Sequence, residues 1–326
     1  MPEFTKDTTA NEVAAYCSSA IEGKVVLVTG ISPKGLGAEF CLSIAKHAPS
    51  LIILAGRNAA KSQETSTAIH DVAPSVQTRF LELDLTSQAQ IREAAKVVMK
   101  YADVSHIDIL LNNAGVMAGL YQKTVDGIEM QFASNHIGHF LFTNLIMEKL
   151  VSPDAEGMCR VVNVSSDGHR LSPVRFKDWN FDDGKAYQQW RAYGQSKTAN
   201  MLFSIALSIK LRHKGLVSVS LHPGVISTNL GGGLLVEAWD ELAATDHAQG
   251  NRKFADGFSW KTAQQGAATH VFASFHPSIP DNNGAYLEDC QVFSPAKVRC
   301  WGRDPVEAEK LWKLSEMLVG QSFEYC

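Results

Sequence analysis

The stretch Val25-Val26-Leu27-Val28-Thr29-Gly30-Ile31-Ser32-Pro33-Lys34-Gly35-Leu36-Gly37 decides the fold. Its first five residues are β-formers, apolar almost throughout, and they run into a glycine-rich turn that opens a helical pattern. A strand without polar alternation is buried on both faces, which requires helices on both sides of its sheet. Working outward, the same rhythm recurs. Strands are expected at Lys24 to Thr29, Leu51 to Ala55, Thr78 to Leu83, Ile107 to Leu111, Arg160 to Val164, Val217 to Leu221 and Ala285 to Leu287. Helices are expected near Leu36 to His47, Ala59 to Ala73, Ser87 to Tyr101, Ile128 to Leu150 and Tyr193 to His213, with Pro305 to Val319 as a packed terminal helix. The expected architecture is α/β: a doubly wound parallel sheet of about seven strands, flanked by helices, in a single domain over 23–326. Residues 1–22 read as an N-terminal extension, with Thr8 or Thr9 capping a helix over Asn11 to Ala20. Ser172 to Trp190 and Asn229 to Ser259 break the rhythm, and the second is read as a substrate lid near 229–260.

Composition sets the class. The chain has 326 residues, 45% hydrophobic and 20% charged, with 30 basic against 34 acidic side chains and a net charge of -4. That balance fits a packed globular protein and excludes disorder or a nucleic-acid-binding surface. No apolar run reaches a membrane span, and Met1 to Ala10 does not read as a secretory signal, so a cytoplasmic protein is expected. The six cysteines include no C-x-x-C pair, and the histidines no H-E-x-x-H frame; reduced thiols and no metal follow.

The glycine turn, with Gly30, Ser32, Lys34, Gly35, Leu36 and Gly37, reads as a cradle for a pyrophosphate at a helix N-terminus. Its G-x4-G-x-G spacing matches neither G-x-G-x-x-G nor a phosphate loop, and a plain structural turn is the alternative. The second strand ends Ala55-Gly56-Arg57, without the acid that would bind the ribose 2′-hydroxyl of NAD. Arg57 and Lys34 together would neutralise a 2′-phosphate, which points to NADP (NADPH). Asp84-Leu85 would meet the adenine, and Asn113-Ala114-Gly115, after the fourth strand, would let backbone run against the cofactor.

Thr29-Gly30 with Gly35 and Gly37, Asp84, Asn112-Asn113-Ala114-Gly115, Asn135, Asn163-Val164-Ser165-Ser166, Tyr193-Gly194-Gln195-Ser196-Lys197 and Pro223-Gly224 with Thr228 stand in one order over about 200 residues. In this the chain resembles the short-chain dehydrogenase/reductase family, and Asn135 to Phe140 is most similar to its retinol dehydrogenase and WW-domain oxidoreductase branch. The resemblance implies a Rossmann-like fold and a catalytic set of Asn135, Ser166, Tyr193 and Lys197. It implies that Ser166 orients the substrate carbonyl, with Ser165 as fallback, and that Lys197 reaches the nicotinamide ribose. Asn135 would hold a water beside that lysine, while Pro223, Gly224 and Thr228 receive the nicotinamide end. The turn departs from the family in having four residues, not three, between its first two glycines, which leaves open where Lys34 points.

The chemistry of the residues agrees. Tyr193 and Lys197, four apart on an expected helix, share a face. A nearby ammonium and a cationic nicotinamide would lower the phenol's ordinary pKa of about 10, so that Tyr193 acts as acid or base. Tyr187 competes, but Arg191 follows it where a lysine is wanted. Met117 to Leu120, the stretch with His169, and Leu234, Leu235, Trp239 and Trp260 would shape the substrate pocket, and their apolar character favours a hydrophobic or aromatic carbonyl or alcohol. The expected activity is NADPH-dependent hydride transfer to such a small molecule. A non-catalytic cofactor-binding protein and a non-redox isomerase or lyase on the same fold are the rivals. A homodimer through the helix of Tyr193 is one arrangement the resemblance allows; packing of Met201, Leu202, Phe203, Ile205 and Leu207 on the sheet is the other.

Overall fold

The computed structural model describes residues 3–151, 158–226, 236–251 and 259–325. Ten strands occur among them: β1 Val25–Thr29, β2 Leu51–Gly56, β3 Gln77–Glu82, β4 Ile109–Asn112, β5 Arg160–Val164, β6 Val217–His222, β7 Val225–Ile226, β8 Trp260–Lys261, β9 Tyr286–Glu288 and β10 Gln291–Val292. Eight form one sheet in the order β10-β9-β6-β5-β4-β1-β2-β3. All its pairings are parallel except that of β10 with β9. The seven expected strands are present with ends shifted by no more than two residues. The eighth, β10, was not anticipated: it is two residues long and solvent-exposed, too short for an apolar pattern.

Burial explains the run that opened the sequence. Val26 and Val28 face one core together with Ile52, Leu54 and Phe40, while Leu27 faces the other with Ile53, Leu110 and Phe140. Alternate residues thus enter different cores, both apolar, as a strand covered on two sides demands. The strand order switches sides at β1, with β2 and β3 on one side and β4, β5 and β6 on the other. A crevice opens there beyond the carboxyl ends of the strands, where ligands of such sheets bind.

Helices depart from expectation in three places. The segment read as one helix over Ile128 to Leu150 is broken into Met130–Phe132, a π turn at Ala133–Ile137, Gly138–Leu145 and Met147–Leu150. A Cβ at Gly138 would collide with the Leu85 carbonyl, so glycine is what lets this helix lie on the end of the third βα unit. Helix Ala263–Phe275 was missed, although Thr262 and Gln265 form a capping box whose T-x-x-Q spelling was legible. Helix Val236–Ala248 lies inside the stretch read as an aperiodic lid. Near the N-terminus Thr9 caps helix Ala10–Tyr16, again through a capping box, and buries Ala10, Val13 and Ala14.

The terminal helix Pro305–Val319 has the expected bounds, with Asp304 as its cap and Gly320 as its left-handed stop. It covers the helix Gln189–Leu211, where Trp312 lies against Phe203 and Phe140 at ring separations of 6.2 and 5.0 Å. Met201, Leu202, Phe203 and Leu207 are therefore buried within the single chain. Trp312→Ala should lower unfolding free energy by about 3–5 kcal/mol, the usual cost of emptying such a site, as measured by denaturant titration.

Candidate functional site

The glycine turn is built by close approach of chain to chain. A Cβ on Gly30 (φ +76°) would stand 2.7 Å from Ala114 Cα, and one on Gly37 would stand 2.5 Å from the Gly30 carbonyl. The extra residue is absorbed at Lys34, which adopts φ +63° and turns its side chain to solvent. Helix Leu36–Ala45 then starts at Gly35 with no side chain capping its amides. An uncapped, positive helix end is thus aimed at the crevice.

Thr29 holds this turn to β4. Its Oγ1 accepts from the Asn113 and Ala114 amides, each at 3.0 Å, and contacts His139 Nε2 at 2.9 Å. His139 Nδ1 faces the Asn135 carbonyl at 3.0 Å; a carbonyl only accepts, so Nδ1 carries the proton and Nε2 receives the Thr29 hydroxyl. Burial holds His139 down to about 4, so the ring stays neutral. Asn113 Nδ2 donates to the carbonyls of Thr29 and Gly30, at 2.9 and 3.0 Å. The sequence offered no sign of His139 in this role beyond its presence in the Asn135 to Phe140 run.

The crevice has a volume of about 870 Å³, ample for a dinucleotide and a small molecule. Gly30, Ser32, Gly35, Leu36, Arg57, Asp84, Leu85, Asn113, Ala114, Gly115, Ser166, Tyr193, Lys197, Pro223 and Gly224 line it. Of the other expected residues, Lys34 is exposed and off the wall, Gly37 is buried behind the turn, Asn135 stands behind Gly115, and Thr228 lies outside the described residues. Lys61, in the first turn of helix Ala59–Val72, shares the wall with Arg57 and was missed. A cation in a first helical turn is unfavourable unless an anion is held there, and that was the readable signal.

At the far end Tyr193 and Lys197 come together from helix Gln189–Leu211, and Lys197 Nζ lies 5.6 Å from the phenol ring centroid. Lys197 Nζ donates to the Val164 carbonyl at 3.0 Å. Ser166 Oγ accepts from the Gly168 amide at 3.0 Å and hydrogen-bonds the Tyr193 phenol. Gly168 must be glycine because a Cβ would stand 2.6 Å from Tyr193 Cε1. Ser165, the fallback, also lines the crevice, but it is buried and its hydroxyl donates to the Lys197 carbonyl at 2.7 Å, whereas that of Ser166 meets Tyr193. Asn135 Oδ1 accepts from the Val116 amide at 2.8 Å, while its Nδ2 donates to the Val116 carbonyl and to Ser196 Oγ. Its side chain is thus committed to holding the catalytic helix. Tyr187 is off the wall, its hydroxyl donating to the Gly119 carbonyl at 3.1 Å.

Burial dominates the electrostatics of the protein without its cofactor. Burial pushes the Tyr193 phenol up to about 12, against a smaller opposing effect of the Ser166 hydrogen bond. Burial likewise pushes Lys197 down to about 8. In both cases the larger cause is desolvation, which in the protein alone favours the neutral phenol. Beyond it lies an apolar wall of Met117, Leu171, Trp190, Trp239 and Leu242. Trp190 came from the aperiodic segment before Tyr193; Leu120 is exposed, His169 is behind the wall, and Leu234 and Leu235 lie outside the described residues. No metal-binding cluster and no membrane-length helix occur among the described residues.

A family model of short chain dehydrogenases matches residues 24–176. The "Short-chain dehydrogenase TIC 32 A, chloroplastic" of Brassica napus is 36% identical over 303 residues, covering 90% of this chain and 88% of its own. The chain belongs to the short-chain dehydrogenase/reductase family. Human "Retinol dehydrogenase 11" is 34% identical over 311 residues, covering 94% of this chain and 90% of its own. Among solved structures, an uncharacterised protein from Mycobacterium paratuberculosis superposes with a TM-score of 0.70 at 29% identity, covering 93% of this chain and 96% of that one. An NADPH-bound carbonyl reductase from chicken fatty liver shares the fold, with a TM-score of 0.57 at 21% identity over 84% of this chain and 99% of that one. As a short-chain dehydrogenase/reductase the chain is an oxidoreductase with a nicotinamide cofactor, and the crevice fits that group. The Lys197 ammonium is lost as pH rises through about 8. Affinity for the nucleotide, measured by calorimetric titration, should fall over that range, and Lys197→Met should remove the dependence.

Proposed function

We propose that this protein is an NADPH-dependent oxidoreductase acting on the carbonyl or alcohol group of a hydrophobic or aromatic small molecule. The observation that carries the reading is Tyr193, protonated by burial, hydrogen-bonded to Ser166 and set where the crevice wall turns apolar. When bound, a reduced nicotinamide supplies hydride to the carbonyl carbon. Tyr193 gives its proton to the carbonyl oxygen, and Ser166, on the wall beside it, hydrogen-bonds that oxygen and orients it. Lys197, within 5.6 Å of the ring, adds positive charge at the moment the phenolate forms. Presence of the whole set favours this reading over that of a non-catalytic cofactor-binding protein.

Preference for NADPH rests on Arg57 and Lys61. Both lie at the mouth of the second βα unit, no acidic residue stands in the first turn of helix Ala59–Val72, and the helix end adds its own positive potential. Asp84 and Leu85 would bracket the adenine, and Pro223 and Gly224 the nicotinamide end.

Tyr193→Phe should reduce the turnover number about 10²- to 10⁴-fold in NADPH absorbance assays while nucleotide affinity stays within a few-fold; undiminished turnover would remove the assignment. Arg57→Ala should raise the KM for NADPH about 10- to 100-fold with little effect on NADH, whereas Lys34→Ala should change neither.

A further inference from the structure

Helix Val236–Ala248 presents Trp239, Leu242 and Asp246 to the crevice, at spacings of three and four residues that put them on one face. The first two continue the apolar wall; the third is a carboxylate only 1% exposed. Its Oδ1 is well served, receiving Asn251 Nδ2 at 2.8 Å and standing 3.2 Å from Arg170 Nη1. Among the described residues its Oδ2 has no hydrogen-bond partner. The guanidinium of Arg170 is moreover shared, since its Nε donates to Asp167 Oδ1 at 2.6 Å. One cation thus faces two carboxylates on the wall of a hydrophobic crevice, and one carboxylate oxygen is unmet. Leaving a buried acceptor unmet is costly, the more so for a charged one.

We propose that Asp246 is a specificity-determining residue whose Oδ2 accepts a hydrogen bond from a hydroxyl or similar donor on the substrate, away from the reacting carbonyl. The inference rests on the carbonyl-reductase reading and names its substrate class more narrowly: an elongated apolar carbonyl compound with a donor at one end. A molecule lying along Trp239 and Leu242 reaches Asp246 after seven helical residues, roughly 10 Å at 1.5 Å each. An unsubstituted hydrocarbon end, or an ether, which only accepts, leaves Oδ2 unpaired and is disfavoured.

The test uses 2-naphthaldehyde and its 6-hydroxy and 6-methoxy derivatives with the NADP-loaded protein. Binding is measured by calorimetry and turnover by NADPH absorbance. The native protein should bind the hydroxy compound about tenfold or more tightly than the methoxy compound, the usual worth of a hydrogen bond to a charged group. Asp246→Asn keeps the oxygen that receives Asn251 but replaces Oδ2 by a donor, and should erase that gap by strengthening methoxy binding. Should the variant fail to fold, the hydroxy-to-methoxy ratio of the native protein decides alone. Equal ratios in the two proteins, or no preference in the native one, would overturn the inference. The expected ratio without any NADPH oxidation would leave Asp246 in its role and remove the carbonyl-reductase reading instead.

Discussion

The Thr29 hydroxyl is the joint on which the rest of the site depends. One oxygen receives two amides of the Asn112-Asn113-Ala114-Gly115 segment and gives its proton to His139, so the first strand, the fourth strand and the helix after the π turn meet at one buried point. From His139 the chain of bonds runs through the Asn135 carbonyl, then through the Asn135 amide to Ser196 and on to the Tyr193 carbonyl. The glycine turn and the helix Gln189–Leu211 are thereby held in one network of neutral polar groups. Such networks are rigid because each member left unpaired would bear the full cost of desolvation.

Around that joint, burial sets the chemistry. Tyr193 and Lys197 are both held in their uncharged direction by the surroundings, the phenol upward and the ammonium downward. Enclosure thus keeps both groups from carrying charge without a compensating partner.

Most of the architecture was legible because apolar strands covered on both faces carry a strong, unambiguous signal. The first strand, its turn and the terminal helix with Asp304 and Gly320 at its ends could be read to within a residue or two. That Tyr193 and Lys197 would share one helix face was legible through their spacing, and the structure sets both on the crevice wall, with Arg57 on the same wall. What escaped was set by tertiary contact. The break at Ala133–Ile137 follows from Asn135 and Gly138 meeting distant partners, and no local pattern encodes it. Lys34 looked equivalent to Arg57 until its backbone turned left-handed and carried the side chain outward. The direction of the Tyr193 shift depended on how completely the ring is enclosed, a property of four segments at once.

The two ends of the chain close the molecule late. The Asn11 amide donates to Gln264, 253 residues away, and Phe4 packs against Phe272, while the other core is sealed by Trp312. During synthesis at roughly 5–20 residues per second, the first helix would wait tens of seconds for its partner to leave the ribosome. Until then the apolar face of helix Ala10–Tyr16 stands uncovered, and removing either it or the segment around Gln264 would leave the other's apolar face open to solvent.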